Sequence, residues 1–363
     1  MADKKIRVAL LFGGKSAEHE VSLRSARNIA DALDKKKYAP ILIGIDKKGS
    51  WHRADSAEFL LNAHDPKLAR LAPEHATAVS LIPESKGVLA LAGEKPSEAV
   101  DVVFPILHGP MGEDGTVQGL LRLAGVPFVG AGVLGSAVGM DKDVMKRLLR
   151  DAGIPIGKFF VFRKGDKVSF PAISKTLGLP LFIKPANMGS SVGVSKVRTK
   201  KEFDAAVLEA FRYDTKILCE QFIKGREIEC SVLGNDKPIA SVPGEIVVKS
   251  DFYSYDAKYI DESGAALEIP AKLPLILRKK VQDLAIKTFK TLECAGLARV
   301  DFFLTKTGKV YVNEINTIPG FTSVSMYPKL WEASGIAYSD LIDRLLMLAL
   351  EKHAQDLSLE TSR

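Results

Sequence analysis

The sequence predicts an α/β protein in which an N-terminal parallel α/β domain precedes two α+β units, the first of them small. Apolar runs at residues 6–12, 39–45 and 101–107 alternate with helical patterns such as 20–33. This alternation is typical of a parallel sheet with helices on its faces. Shorter β-rich runs follow, and they predict the two later units. A length of 363 residues suits two or three domains.

The later elements follow in chain order from the same patterns. Predicted helices lie at residues 116–123, 141–152, 170–177, 201–211, 275–292 and 339–353. Predicted strands lie at residues 159–162, 181–184, 192–197, 217–222, 227–233 and 239–248, with a hairpin at 298–316. A polar, tyrosine-rich stretch at 251–267 predicts a long loop. We place the domains at residues 1–140, 141–222 and 223–363.

Composition and charge argue against several classes of protein. The N-terminus lacks the apolar region of a secretory signal, and no apolar run approaches the roughly 20 residues that cross a bilayer. The net charge is +7, but the basic residues are spread along the chain, which argues against nucleic-acid binding. Cys219, Cys230 and Cys294 form no CxxC pair, so we expect reduced thiols and a cytoplasmic location.

The predicted hairpin carries the strongest chemical pattern in the chain. We pair Leu304 with Lys309 across its glycine-containing turn. Arg299 then lies opposite Glu314, and Asp301 is diagonal to Glu314. Because side chains alternate between faces, one face carries Arg299, Asp301, Glu314 and Asn316. Two carboxylates and a carboxamide suit Mg²⁺ held with substrate phosphates, whereas the simpler alternative is an exposed hairpin with an Arg–Glu pair.

A second pattern is a lysine, Lys184, at the end of an apolar strand and before a loop of small residues at 186–193. Backbone N–H groups in such a loop can cradle phosphate oxygens, and the lysine adds a positive charge. The segment is not a Walker sequence, because GxxxxGK[ST] does not occur. The alternative is a flexible turn between strands.

Three further segments are weaker on their own. Residues 219–227 alternate acidic and apolar side chains, which can line a cleft for adenine and ribose, or simply form a strand. Residues 13–22 form a strand-to-helix turn with Glu18 and Glu20, acids that can also just complement the helix dipole. Loop residues Lys258 and Tyr259 could close over an anion, or lie on an exposed loop.

Taken together and in this order, these segments resemble the D-alanine–D-alanine ligase family of the ATP-grasp superfamily. The matching stretches span nearly the whole chain and read GGKSAEHEVS, HGPMGEDG, MDK, IKPANMGSSVGVS, EQFIKGREIE, FYSYDAKY, RVDFF and NEINTIPGFTS. The resemblance implies an ATP-grasp fold for the two later units, with ATP and two Mg²⁺ (or Mn²⁺) ions. It further implies a D-alanyl phosphate that a second D-alanine attacks, a role in peptidoglycan precursor synthesis, and a homodimer.

The resemblance also implies roles for the matching residues. Glu18 would hold the ammonium of the first D-alanine beside His108, and Arg299 with the Gly320 N–H would form the oxyanion hole. The implied metal ligands are Asp301, Glu314 and Asn316. The implied ATP contacts are Lys142, Lys184, Ser191, Glu220, Gln221, Phe222, Ile223 and Glu227.

The remaining implied roles concern the loop and the second substrate. Ser190, Tyr259 and Glu18 would form a hydrogen-bonded set that closes the loop, and Lys258 would reach a phosphate or the second carboxylate. Ser325 and the backbone of Met326 would hold the second D-alanine. In the family, a tyrosine at position 259 goes with dipeptide formation, so the resemblance favours D-alanine over D-lactate.

Two alternatives stay open at this point, and a third fails. One is a D-alanine–D-lactate ligase or another ATP-grasp carboxylate–amine ligase. A second is a nucleotide-binding regulator without activity, which predicts missing catalytic groups. A third, a dinucleotide-dependent dehydrogenase, is disfavoured because the first glycine turn lacks GxGxxG.

Overall fold

The structure is a computed structural model, and it describes residues 4–54, 60–61, 70–71, 77–81, 88–91, 98–248 and 265–360. The helices are α1 His19–Ala32, α2 Thr116–Leu123, α3 Val133–Met140, α4 Lys142–Asp151, α5 Phe170–Leu177, α6 Lys200–Ala210, α7 Leu275–Thr291, α8 Met326–Glu332 and α9 Tyr338–Leu357. The first strands are β1 Ile6–Gly13, β2 Tyr38–Ile45, β3 Trp51–Ala54, β4 Leu60–Leu61, β5 Arg70–Leu71, β6 Thr77–Leu81, β7 Val88–Leu91, β8 Glu98–Ala99 and β9 Val102–Ile106. The later strands are β10 Phe159–Arg163, β11 Leu181–Pro185, β12 Ser195–Val197, β13 Lys216–Gln221, β14 Gly225–Gly234, β15 Ile239–Ala240, β16 Gly244–Val248, β17 Ala265–Glu268, β18 Gly296–Thr305 and β19 Val310–Asn316.

The first sheet has a parallel centre and an antiparallel extension. Its strand order is β8-β7-β6-β3-β2-β1-β9, and β1 pairs in parallel with both β2 and β9. Strands β3, β6, β7 and β8 continue the sheet in antiparallel pairs. The predicted parallel sheet is therefore confirmed for the central strands, while the extension was not predicted. Because β1 and β9 are neighbours, the glycine turn after β1 lies beside the turn that begins at His108.

The second sheet is small and antiparallel, with the order β10-β13-β11-β12. Helices α5 and α6 cover one face, where Ile173 and Phe203 pack with the strand residue Ile183. This sheet also carries two candidate ATP-binding residues. Lys184 lies on β11, and Glu220 lies on β13. Phe182 and Glu220 are cross-strand partners, so the two candidates come from adjacent strands.

The third sheet has the order β17-β16-β14-β18-β19, with β15 paired to β14. Helix α7 packs on it through Val281 and Phe289, and α4 joins the same core through Met145. Helices α8 and α9 lie between the first and third sheets, because Trp331 and Leu345 share one core with strand residues of β1 and β9 and with Leu233 and Leu297 of β14 and β18. These shared cores place the third sheet beside the ends of β1 and β9.

The predicted hairpin register is wrong. Leu304 pairs with Val310 rather than Lys309, and a bulge follows between Asp301 and Phe302. Beyond the bulge Arg299 lies opposite Asn316, and Asp301 lies directly opposite Glu314. Asn313 is the extra residue, since Phe302 pairs with Val312 while Asp301 pairs with Glu314. The pairing still leaves the four predicted polar residues on one face of the hairpin.

Other departures from the sequence-based elements have identifiable causes. Helix α3 was not predicted, and its two glycines permit close packing: a Cβ at Gly135 would lie 2.6 Å from the Glu293 carbonyl oxygen. Helix α8 was also not predicted, and β12 begins only at Ser195 because Gly193, inside the predicted strand, has a left-handed φ of 68°. The C-terminal end of the predicted 251–267 loop forms β17, and residues 251–264 lie outside the described part.

The boundaries placed after residues 140 and 222 fall between sheets, and the division into three domains stays a prediction. Among the residues that the structure describes, no helix has the length and apolar character needed to cross a membrane.

Candidate active site

Glu18 lies where the first and second sheets approach each other. The Ser190 hydroxyl donates a hydrogen bond to the Glu18 carboxylate, although the two residues are 172 positions apart. A Cβ at Gly109 would lie 3.3 Å from Glu18 Oε2, and one at Gly189 would lie 3.2 Å from it. Two glycines thus let the backbone approach this carboxylate closely. The structure therefore brings Glu18 and Ser190 together, as the resemblance implied.

His108 follows β9 and is buried against the loop that leads to Gly320. Its Nδ1 lies 3.0 Å from the Ile318 carbonyl oxygen, which requires the proton to be on Nδ1. Burial lowers the pKa of His108, with the Glu18 carboxylate acting in the opposite direction. Among the described residues, its buried Nε2 has no hydrogen-bond partner. With the proton on Nδ1, the Nε2 atom of the neutral imidazole is an acceptor.

Glu113 was not predicted, although it lies in the HGPMGEDG stretch. Its carboxylate accepts hydrogen bonds from the N–H of Gly109 at 2.7 Å and the N–H of Ile318 at 3.3 Å. With His108, it holds both backbone polar groups of Ile318, two residues before Gly320. Burial, and then the charge of Glu18, raise the pKa of Glu113 to about 8. Its position five residues after His108 was the sequence feature that could have identified it.

Replacement of Glu113 by glutamine should change how stability depends on pH. The pKa of this carboxyl rises from an ordinary value of 4.5 to about 8 on folding, so between these values the unfolded chain is ionised while the folded one keeps the proton. Stability from this group is full below the lower value and is lost as the pH rises toward the upper one. Denaturant unfolding measures the free energy of unfolding at pH 5 and pH 8. Between these two values, wild type should lose at least about 1.4 kcal/mol more of this free energy than Glu113→Gln. Equal losses in the two proteins would contradict this assignment.

The bulged hairpin places Arg299 against two carboxylates. Its Nε and Nη2 donate to the two Asp301 oxygens at 2.7 and 2.8 Å, and Nε also lies 2.8 Å from Glu229 Oε2. Asn316 donates from Nδ2 to Asp301 at 3.0 Å. Glu229 was not predicted: it lies on β14 directly opposite Asp301 on β18, a pairing between distant parts of the sequence. The predicted face is thus assembled, with one additional acid.

Three buried lysines pair with Glu220 or Glu314 beside the second and third sheets. Lys142 donates to the Met188 carbonyl oxygen at 2.7 Å, and its Nζ lies 3.7 Å from Glu314 Oε2. Lys184 Nζ lies 2.8 Å from Glu220 Oε2. Burial lowers the pKa of Lys142, while Glu314 acts in the opposite direction. The two predicted phosphate lysines therefore come from different elements, and Lys142 also contacts the loop that carries Ser190.

Lys146, the third of these lysines, was not predicted. It follows Lys142 by one turn of α4, a spacing that places both on one helix face. Its Nζ lies 3.2 Å from Glu220 Oε1. Although burial disfavours the charge, the Lys146 and Lys184 ammonium groups hold the pKa of Glu220 below its usual value. The helical spacing from Lys142 was the signal that could have identified it.

The remaining ATP candidates follow Glu220 along the chain. Gln221 ends β13, and its N–H donates to the Lys158 carbonyl oxygen at 3.0 Å. The Phe222 ring lies 4.6 Å from Lys196 Nζ, and Ile223 packs over Gly157, where a Cβ would lie 3.1 Å from its Cδ1. Glu227 lies on β14 opposite Phe303 of β18. These residues form the segment that joins the second sheet to the third.

The segment after β19 brings Gly320 to Ser325. A Cβ at Gly320 would lie 2.9 Å from Ser325 Oγ, and this hydroxyl also accepts from the Thr322 N–H at 3.0 Å. The Met326 side chain packs in a core cluster, so only its backbone can face a ligand. The predicted lid residues, Lys258 and Tyr259, lie outside the described residues.

The oxygen donors on the hairpin face fit a magnesium ion by their chemistry. In the described part of the chain, no group of three or more His, Cys, Asp or Glu side chains is placed to hold a metal. Asp301 and Glu314 are two directly paired carboxylates, and Asn316 donates its N–H to Asp301, which leaves its carbonyl oxygen as an acceptor. Two carboxylates with one carboxamide are hard ligands suited to Mg²⁺ when phosphates complete the shell.

Family models match both halves of the chain. The model for the D-Ala–D-Ala ligase N-terminus matches residues 7–131, and the model for the C-terminus matches residues 148–347. The chain belongs to the D-alanine–D-alanine ligase family. The expectation that this ligase is an ATP-dependent enzyme is thereby confirmed.

Relatives match the ligase over almost its full length. A D-alanine–D-alanine ligase from Shouchella clausii is 57% identical over 362 residues, which is 99% of this chain and 98% of that protein. The solved D-alanine–D-alanine ligase of Coxiella burnetii is 40% identical with a TM-score of 0.86, and the match covers 98% of this chain and 96% of that one. VanG, a D-Ala:D-Ser ligase from Enterococcus faecalis, is 37% identical with a TM-score of 0.84, and the match covers 95% of this chain and 100% of that one. The predicted fold class is confirmed, whereas the second substrate differs between these two structures.

Proposed function

We propose that the protein joins two D-alanines at the cost of ATP, through a D-alanyl phosphate, and so supplies D-alanyl-D-alanine for peptidoglycan precursors. One observation carries this proposal: the loop at 188–190 accepts from Lys142 through the Met188 carbonyl oxygen and reaches Glu18 through the Ser190 hydroxyl, while Lys142 faces Glu314 on the hairpin that also carries Arg299. An acid for an ammonium, a guanidinium for an oxyanion and lysines for phosphates are what this reaction needs.

The first step is the transfer of the γ-phosphoryl group to the carboxylate of the first D-alanine. Glu18 holds the substrate ammonium, and the neutral His108 beside it adds no competing positive charge. Lys142 and Lys184 face the phosphates, while Ser191 belongs to the loop that covers them. The segment from Glu220 through Gln221, Phe222 and Ile223 to Glu227 holds the adenine and ribose.

The second step is attack by the amine of the second D-alanine on the acyl phosphate, with release of phosphate. The tetrahedral intermediate carries an oxyanion, which Arg299 and the Gly320 N–H stabilise. Ser325 and the Met326 backbone hold the second carboxylate. We assign Ser190, Tyr259 and Lys258 to closing the loop over the site, which protects the acyl phosphate from water.

Asp301, Glu314 and Asn316 would hold two Mg²⁺ (or Mn²⁺) ions. Bound there, the ions would neutralise phosphate charge during transfer. The residues of this chain contribute orientation: Asn316 fixes Asp301 through its N–H, and Lys142 faces Glu314. A homodimer and a cytoplasmic location stay predictions.

Phosphate release in the presence of ATP, Mg²⁺ and D-alanine tests this function. D-alanine should stimulate release many-fold, because the acyl phosphate is consumed only when a second amine attacks it. L-alanine is the matched control, and chelation of the divalent ions should abolish the stimulation reversibly. Equal release with D- and L-alanine would refute the proposal.

The second substrate needs its own comparison, because VanG, a D-Ala:D-Ser ligase, shares this fold. Product analysis with D-alanine mixed with D-serine or D-lactate at several pH values should give D-alanyl-D-alanine as the main product. A mixed product in excess would assign the protein to the alternative, a ligase with another second substrate.

A further inference from the structure

Lys146 is a buried cation that the proposed reaction does not use. The residue is 2% exposed, and its side chain lies between the Phe159 ring, 5.9 Å from its Nζ, and Glu220. Glu220 is itself 8% exposed and divides its two oxygens between two lysines. Oε1 faces Lys146 at 3.2 Å, and Oε2 faces Lys184 at 2.8 Å. A single buried carboxylate therefore has two ammonium partners from different elements.

The two lysines differ in what else they can reach. Lys184 lies at the end of β11, beside the loop whose Ser190 contacts Glu18, so its ammonium can turn toward phosphates. Lys146 lies in the second turn of α4, on the side that packs into the protein. Its long side chain is enclosed, and Glu220 is the carboxylate with which it forms an ion pair. Both lysines are buried, so the difference lies in their neighbours: Lys184 adjoins the loop that carries Ser190, and we take it as the partner that moves.

Movement of Lys184 toward a phosphate has a consequence for Glu220. A buried carboxylate that loses its partner is strongly destabilising, since neither water nor another cation replaces the lost interaction. With Lys146 in place, Glu220 keeps one ammonium when the other leaves. The charges support this reading: the Lys146 and Lys184 ammonium groups together keep the pKa of the buried Glu220 below its usual value.

We propose that Lys146 is a positioning residue for ATP: it keeps Glu220 paired while Lys184 exchanges Glu220 for the triphosphate. This inference rests on the proposed use of ATP by Lys184. In this role Lys146 does not contact the substrate. Its contribution should therefore depend on the charge of Glu220, and a purely structural role would not have that dependence.

A double-mutant cycle tests this coupling. Lys146→Met should weaken ATP binding and raise the KM for ATP roughly tenfold or more, while kcat and the KM for D-alanine stay within about threefold. In the Glu220→Gln background, the same Lys146→Met change should leave the KM for ATP unaltered, because no carboxylate remains to be orphaned. Arg150→Met, an exposed position on the same helix, is the matched control and should behave as wild type.

An equal rise of the KM for ATP in both backgrounds would overturn the proposal, as would an unchanged KM in the single variant. If Lys146→Met alone fails to fold in a thermal melt, Glu220→Gln is compared with the double variant. The proposal then requires equal KM values, and a rise beyond about threefold refutes it. Calorimetric titration with ATP gives the same comparison without ligation. Failure of the proposed function would instead appear as wild-type protein that D-alanine does not stimulate.

Discussion

Replacement of Arg299 by alanine should reduce kcat by roughly 10² or more. The guanidinium lies on the bulged hairpin, held by both oxygens of Asp301 and by Glu229. A donor fixed in this way needs no reorganisation when the oxyanion forms. Its removal should therefore destabilise the transition state more than the bound substrates. Steady-state phosphate release with saturating D-alanine and ATP measures kcat directly.

Arg7→Ala is the matched control for this variant. Arg7 pairs with Asp101 through the same two nitrogens, Nε at 3.1 Å and Nη2 at 2.9 Å, but at the opposite end of β1 from Glu18. Loss of an arginine–aspartate pair alone should therefore leave kcat within about threefold of wild type. If both variants lose activity equally, Arg299 holds the fold rather than the oxyanion.

Glu18→Gln should raise the KM for the first D-alanine roughly 30-fold or more, because a partly buried charge pair with the substrate ammonium is worth about 2 kcal/mol or more. Glutamine keeps the shape and can still accept from Ser190, so the loop contact survives. Initial rates over a wide range of D-alanine, fitted to two binding constants, separate the first subsite from the second. The KM for ATP should change little.

Glu20→Gln supplies the comparison at almost the same place. Glu20 lies in the first turn of helix α1, which Glu18 caps, but it forms a surface pair with Lys47, at 2.6 Å. A surface pair contributes at most about 1 kcal/mol, so its loss should leave both D-alanine constants near wild type. A similar effect of the two variants would mean that helix α1, and not the Glu18 carboxylate, sets the affinity.

The sequence was most informative where local pattern and tertiary structure agree. Helices α2 and α5 begin and end where the periodicity predicts, because each buries one apolar face. Helix α3 was missed because its glycines lower helix propensity, while the tertiary packing around Gly135 and Gly139 requires them. Local preference cannot show that a neighbouring backbone approaches to such distances.

The candidate site shows the same limit at the level of single residues. The face shared by Arg299 and Asp301 follows from the period of a strand, so it survived the error in register. The bulge at Asn313 could not be predicted, since no residue there signals an extra position. Glu229 required knowledge that β14 pairs with β18, and that pairing joins residues 72 positions apart. Such partners come from topology, which single-sequence patterns do not contain.

The ion pairs of the site have a consequence for the free protein. Four cations of the site each lie against a carboxylate: Lys142 faces Glu314, Lys146 and Lys184 share Glu220, and Arg299 contacts Glu229 and Asp301. Without these acids, like charges gathered for a polyphosphate would repel one another and favour unfolding. Because each cation already has a partner, the protein can fold and persist when nucleotide is scarce. Binding of ATP then exchanges the carboxylate partners of these cations for phosphates in a protein that is already folded. The affinity for ATP therefore depends on the difference in free energy between the internal ion pairs and those formed with the phosphates.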